Sequence, residues 1–194
     1  MSAELRERSA ARLLASPELE HDRAQAALAA SFSVTAAAAP EALLDEASLP
    51  LFGIAELSAR EQAQELADLL TNHLCLRPER HDHRALLIDH ALVSRHAHPI
   101  QIAVIGHELA RRAGVASFVG SCEGEPWTVL RGDNEMALVG PASIAGPLEP
   151  RTVQGRCAHQ VARAVLTQLR ELAPPESVPR AERLLAALPG CRRS

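Results

Sequence analysis

Residues 98–115 read HPIQIAVIGHELARRAGV, and no other stretch of the chain constrains the fold as tightly. Proline at the first helical position costs no hydrogen bond, because that N–H has no intrahelical partner, and its fixed φ already suits a helix. Glycine just past the last turn supplies the left-handed residue with which helices commonly end. The spacing therefore predicts an unusually apolar helix from Pro99 to Arg112, closed at Gly114. Arg111 and Arg112 fall in its last turn, where cations complement the negative end of the helix dipole. A helix that begins this way can aim a nucleophile or a metal ligand from its first turn, or serve packing alone.

Upstream, residues 3–15 and 18–31 repeat apolar side chains every three or four positions and predict two helices. PEALLDEA, beginning at Pro40, predicts a short third. In LSAREQAQELADLLTNHL, Ser58 and Glu61 make a capping box with Leu57 just before it, and Pro78 ends the region. HRALLIDHALVSR predicts one more helix over 83–95, broken ahead of Pro99. Beyond Gly114 the period changes: VASFVGS, PWTVLRG and EMALVG predict three short strands, the last two joined by the turn residues RGDN. Pro141, Pro147 and Pro150 mark a linker, and GRCAHQVARAVLTQLREL with SVPRAERLLAAL predicts a closing helical pair. Helices, then strands, then helices argue for an α+β domain with helical flanks.

Composition removes several functions. The formal charge of −4, with no sustained basic stripe, gives no footing for nucleic-acid binding by phosphate neutralisation. All 20 basic residues are arginine, which excludes Schiff-base and lysine-nucleophile chemistry. Cys75, Cys122, Cys157 and Cys191 lack CxxC spacing, so neither a zinc knuckle nor a disulfide framework is indicated. Cys75 and Cys157 fall in predicted helices and read as small buried hydrophobes. A charged N-terminus, no apolar run of membrane-spanning length and the ending CRRS predict a cytoplasmic protein without membrane contact.

The run LLIDHALVSRHAHPIQIAVIGHELARRAGV resembles the transglutaminase-like superfamily, and most closely its short SirB-type bacterial branch. That branch reads helix, Arg-rich turn, Gly-x-Pro-Ile, then a helix ending Ala-Arg-Arg-x-Gly. Arg95, Pro99, Ile100, Ala110, Arg111, Arg112 and Gly114 fit, while Ala97 stands where the turn usually has glycine. PWTVLRGD and ALVGPASIAGPL are similar to the following strands, and the C-terminal helices look like the repeat-like hairpin that closes many members. The resemblance covers roughly residues 20–190. It implies a transglutaminase-like (papain-like) core with a small antiparallel sheet over 77–150, a helical N-terminal region over 1–76, and a C-terminal helical hairpin over 151–194.

The resemblance also implies a Cys–His–Asp triad, in which a thiolate at a helix N-terminus is activated by a histidine that a carboxylate orients. Carried over residue by residue, the nucleophile position holds Gln101, the histidine position Trp127 and the aspartate position Gly140. Glutamine offers no nucleophile, tryptophan cannot accept the proton, and glycine cannot orient a base. Trp127 at that wall is expected to fill space that a catalytic cleft leaves open.

Two further readings stand beside loss of the triad. A rebuilt, non-triad site would draw on the loop SCEGEPW, with Cys122, Glu123 and Glu125 near the cleft and His98 and Gln101 at the helix mouth. There His98 would pair with Cys122, or with Glu125 as acid and base. A metal site would draw on His81, His83, His96 and His98, if the loop 77–83 folds back on the turn 95–99; HELAR at His107 is only half of HExxH. The leading expectation is a catalytically inactive member of the family that binds a protein or peptide, without a cofactor or metal. The alternatives are an enzyme of a specialised bacterial biosynthetic pathway with a rebuilt site, a small molecule being possible in the cleft, and a metal-binding protein.

Overall fold

The computed structural model describes residues 3–32, 40–132, 135–140, 144–145 and 153–189. Its helices are α1 (Ala3–Leu14), α2 (His21–Phe32), α3 (Pro40–Ser48), α4 (Ala59–Asp68), α5 (Ile88–Ser94), α6 (Pro99–Arg112), α7 (Ala158–Leu172) and α8 (Val178–Ala187). Its strands are β1 (Arg77–Pro78), β2 (His96–Ala97), β3 (Ser117–Cys122), β4 (Glu125–Arg131), β5 (Met136–Val139), β6 (Ile144–Ala145) and β7 (Gln154–Gly155). Five strands form an antiparallel sheet in the order β6-β5-β4-β3-β7, and β1 pairs with β2 in parallel. The mixed α and β architecture with a small antiparallel sheet is the one expected from the sequence.

The constraining helix sits at the centre. Every residue of α6 except His107, Arg111 and Arg112 is buried, as an apolar circumference requires. One face packs on β3 and β4, and the others meet α2, α3, α4 and α5. A methyl at Gly106 would overlap Thr128 Oγ1, so glycine there lets the helix backbone approach the sheet closely. Thr128 uses that approach to donate to the Ala103 carbonyl at 2.9 Å. A single apolar core runs from Ala10 on α1 to Leu188 after α8, drawing on all three segments of the chain.

The capping box forms at Ser58 and Glu61. The region 83–95 departs from the single helix expected: it divides into a 3-10 turn, His83–Leu86, and α5, with Leu87 extended between them. The carbonyls that would carry a helix across this point are taken from outside. The Ala85 carbonyl accepts from the His98 N–H at 2.8 Å, and the Leu86 carbonyl accepts from the Gln101 side chain at 2.7 Å. After α5 the chain turns through Arg95 in the left-handed region, φ 65°, and starts β2.

Two further expectations need correction. SCEGEPW is no open loop: Glu123 and Gly124, both at positive φ, form a two-residue turn that pairs Cys122 with Glu125. Cys75 and Cys157 are not buried helical residues: Cys75 is half-buried at φ 51° after the helical segment, and Cys157 is exposed as the N-cap of α7. The C-terminal helical pair packs against the N-terminal helices, α7 on α2 and α8 on α1, as well as on each other. The turn residues Asp133 and Asn134, the linker prolines 141, 147 and 150, and Cys191 lie outside the described residues.

Candidate functional site: a polar cleft at the mouth of the central helix

The helix mouth opens into a cleft of about 660 Å³. Three parts of the chain wall it: Arg80 and His81 after β1, the β3–β4 turn with the first residues of β4, and the outer stripe of α7. That stripe follows from the sequence of α7. Val161, Ala162, Val165, Leu166 and Leu169 are buried in the core, so Arg163, Ala164, Thr167 and Gln168 turn toward the cleft. From α6 itself come His98 and Ile100.

His98 caps α6. Its Nδ1 accepts the Ile100 N–H at 3.3 Å, which fixes the remaining hydrogen of the neutral ring on Nε2. Burial and, after it, the charge of Arg80 hold its pKa at about 4, against an opposing pull from Glu125, so the ring is neutral at pH 7. A neutral histidine whose lone pair is spent on the helix presents a donor. Glu125 is engaged elsewhere, accepting from Arg80 at 2.8 Å. The described residues lining the cleft include no cysteine, serine or lysine, and the Thr167 hydroxyl donates to the Arg163 carbonyl at 2.8 Å.

Several residues assigned to this cleft from the sequence lie elsewhere. Gln101 is fully buried, one position further round the helix, and faces α2. Its Nε2 donates to Gln25 Oε1 at 2.6 Å and to the Leu86 carbonyl at 2.7 Å, so it brackets three elements together. Trp127 does not plug the cleft. Thr128 points at α6, and successive strand residues face opposite ways, so Trp127 lies on the far face of the sheet. There it stacks over Gly140: a Cβ on that glycine would stand 2.5 Å from the indole. Gly140 and Trp127 are thus one packing unit. Cys122 is half-buried at the end of β3 and does not line the cleft, and Glu123 is an exposed turn residue.

A register slip of one residue exchanges the two faces of a strand. The neighbours one residue back, Ile100 and Pro126, do line the cleft, and they carry no nucleophile and no base. Either reading of the triad positions therefore lacks a nucleophile–base pair. Of the proposed acid–base pair, His98 and Glu125 both reach the cleft, while Cys122 and Gln101 do not.

The loop 77–83 does fold back on the turn 95–99, through pairing of Arg77 with His96 and Pro78 with Ala97. Only two of the four histidines share a site. His81 and His98 line the cleft, His83 sits 3.7 Å from Asp82, and His96 Nδ1 lies 2.9 Å from the Ser94 carbonyl. Among the described residues no group of three or more His, Cys, Asp or Glu is gathered to hold a metal ion. His107 is tied to Ser117 Oγ at 2.9 Å and meets the His21 ring edge-on. Neighbouring Glu108, 1% exposed, accepts from Arg111 at 2.8 Å and from Arg112 at 2.6 Å, and the same arginines reach Asp22 and Asp45. The Ala-Arg-Arg end of the motif is an ion network that fixes α6 to α2 and α3.

Sequence reading missed Arg80, Arg156, Gln160 and Arg163 as cleft residues. A signal for the α7 set was present, in polar residues at helical spacing opposite the apolar stripe. None existed for their meeting His98, since that depends on how α7 packs.

Fold and site together define an α+β domain whose buried central helix starts at a polar cleft beside a small antiparallel sheet. Residues 20–119 match the family model for the transglutaminase-like superfamily, and the chain belongs to that superfamily. No curated protein matches the chain. No helix among the described residues is long and apolar enough to cross a membrane.

Proposed function

We propose that this chain is a non-catalytic member of the superfamily, of the SirB type, that binds a peptide segment of a partner protein in the cleft at the mouth of α6. The observation that carries the reading is the chemistry of the lining. The cleft opens at the mouth of the helix from which the family's frame would present a nucleophile, yet its described polar groups are guanidinium donors, amides, a threonine hydroxyl bonded within α7, a carboxylate tied to Arg80 and two histidines, one of them capping the helix, with no cysteine or serine. Acyl transfer needs a nucleophile and a base within hydrogen-bond reach of each other. Binding needs only convergent donors over an apolar floor, which Ile100, Pro126, Ala164 and Leu172 supply.

The test is selection of displayed peptides on the wild-type protein and on Ala164→Trp, which fills the cleft. Peptides enriched only by the wild type, and recovered with unchanged mass after long incubation, support the reading. Peptides cleaved, deamidated or cross-linked by the wild type but not by His98→Ala overturn it, as does equal enrichment on both proteins.

A further inference from the structure

The cleft carries an unequal set of charges. Among the described residues, Arg80, Arg156 and Arg163 face it against the one carboxylate of Glu125, in a chain whose formal charge is −4. Glu125 is already spent on Arg80. Among the described residues neither Arg156 nor Arg163 has a carboxylate partner; Arg163 instead donates to the Leu188 and Pro189 carbonyls at 3.3 and 3.1 Å, which steadies it beside the cleft. His98 adds a neutral donor. Several arginines elsewhere are paired with carboxylates: Arg111 and Arg112 with Glu108, Arg183 with Glu7, Arg84 with Asp82. Two guanidinium groups without carboxylates in one concavity form a local positive field, and low-dielectric walls strengthen such a field.

The shape adds a second constraint. From Gln160 to Leu172 the α7 wall runs about 18 Å at the helical rise of 1.5 Å per residue. An extended chain covers that length in about five residues. The charge is not spread evenly along it: Arg156, Gln160 and Arg163 stand at the N-terminal end of α7, whereas Gln168 and Leu172 close the other end without charge. A compact anion would use one end and leave the rest of the wall empty.

Resting on the peptide-binding reading above, we infer that the cleft takes an acidic peptide of about five extended residues, with carboxylates held by Arg156 and Arg163 and an apolar side chain toward Leu172.

Fluorescence anisotropy tests this with two end-blocked, dye-labelled pentapeptides of the same length, one carrying two adjacent glutamates and a leucine, the other two glutamines in their place. The glutamate peptide is expected to bind at least tenfold more tightly than the glutamine peptide, and to weaken as salt rises. Arg156→Gln with Arg163→Gln is expected to remove that preference. Arg156→Gln alone, which breaks no side-chain hydrogen bond or ion pair among the described residues, is expected to weaken the glutamate peptide several-fold, so a misfolded double variant would not hide the result. Equal binding of both peptides overturns the acidic preference while leaving peptide binding intact. Displacement by free glutarate at the concentration of unlabelled peptide overturns the peptide in favour of a small carboxylate. Absence of binding by both pentapeptides, and by every peptide selected by display, removes both readings.

Discussion

Gln101→Met is the substitution that most directly separates a vestigial catalytic position from a structural one. Methionine keeps the length and burial of the side chain and removes only its amide. Two buried acceptors, Gln25 Oε1 and the Leu86 carbonyl, then lose their donors. An orphaned buried polar group costs about 1 to 3 kcal/mol, so the two together cost about 4 kcal/mol. Part of that returns, because Gln101 Oε1 has no partner among the described residues and its burial penalty disappears, worth about 1 to 2 kcal/mol. The expected net destabilisation is about 2 to 3 kcal/mol, read as a fall in the urea midpoint of about 1 M at an m-value of about 2 to 3 kcal/mol/M. Adding Gln25→Met should cost little more, since only the Leu86 carbonyl remains unsatisfied. A loss under about 0.5 kcal/mol in the single variant, or full additivity of the pair, would refute the bracket between α2, α6 and the 3-10 turn.

The same geometry makes four shorter predictions. Cysteine introduced at Ala164, half-buried in the cleft wall, should react with a thiol reagent in the native protein, whereas cysteine at Gln101 should react only after denaturation. Gly106→Ala should destabilise by about 1 to 3 kcal/mol through overlap with Thr128 Oγ1, and Thr128→Ala should recover part of it; thermal melts of the three variants decide. Glu108→Gln should cost about 3 kcal/mol, measured by urea unfolding, because the carboxylate is buried and two guanidinium groups depend on it. His21, His98 and His107 are all held at about 4, chiefly by burial, while the unfolded chain titrates them near 6.5. The unfolded state therefore binds more protons below pH 6.5, so stability is full above that pH and falls as pH drops toward 4. Urea midpoints at pH 7, 6 and 5 that stay level, after allowance for carboxylates, would contradict it.

Much of the architecture was legible because local signals and tertiary demands agreed. Pro99 and Gly114 bounded α6, the capping box fixed the start of α4, and period-two patterning marked β3, β4 and β5. Where a distant group competed, the local signal failed. The helical pattern over 83–95 gave no warning of the break at Leu87, because its cause is the backbone and side chain of residues at the start of α6. The turn at Glu123 and Gly124 was hidden for another reason: glutamate at positive φ is rare, so Glu-Gly reads less clearly as a two-residue turn than Asn-Gly does. For the site, His98 and Glu125 were found from their places in the sequence, while the face of Gln101 and of Trp127 was not. A difference of one residue decides which way a strand residue points, and of about 100° which way a helical one does. An alignment good to within one or two residues cannot fix either.

The family frame and the cleft chemistry also make different demands on α6. The Ala-Arg-Arg end is held by Glu108, Asp22 and Asp45, and the Pro99 end by Gln101 and the His98 cap, so the helix is clamped at both ends. A clamped helix keeps the cleft wall in place whether or not a nucleophile projects from it. At the cleft itself, α6 contributes only His98 and Ile100, and the groups that would discriminate ligands stand on α7 and the loop after β1. On the peptide-binding reading proposed above, changes at Arg156 or Arg163 would therefore alter what the cleft binds with little effect on the core, while changes at Gln101 or Glu108 would damage the core first. Stability and ligand preference, measured on the same variants, should separate along that line.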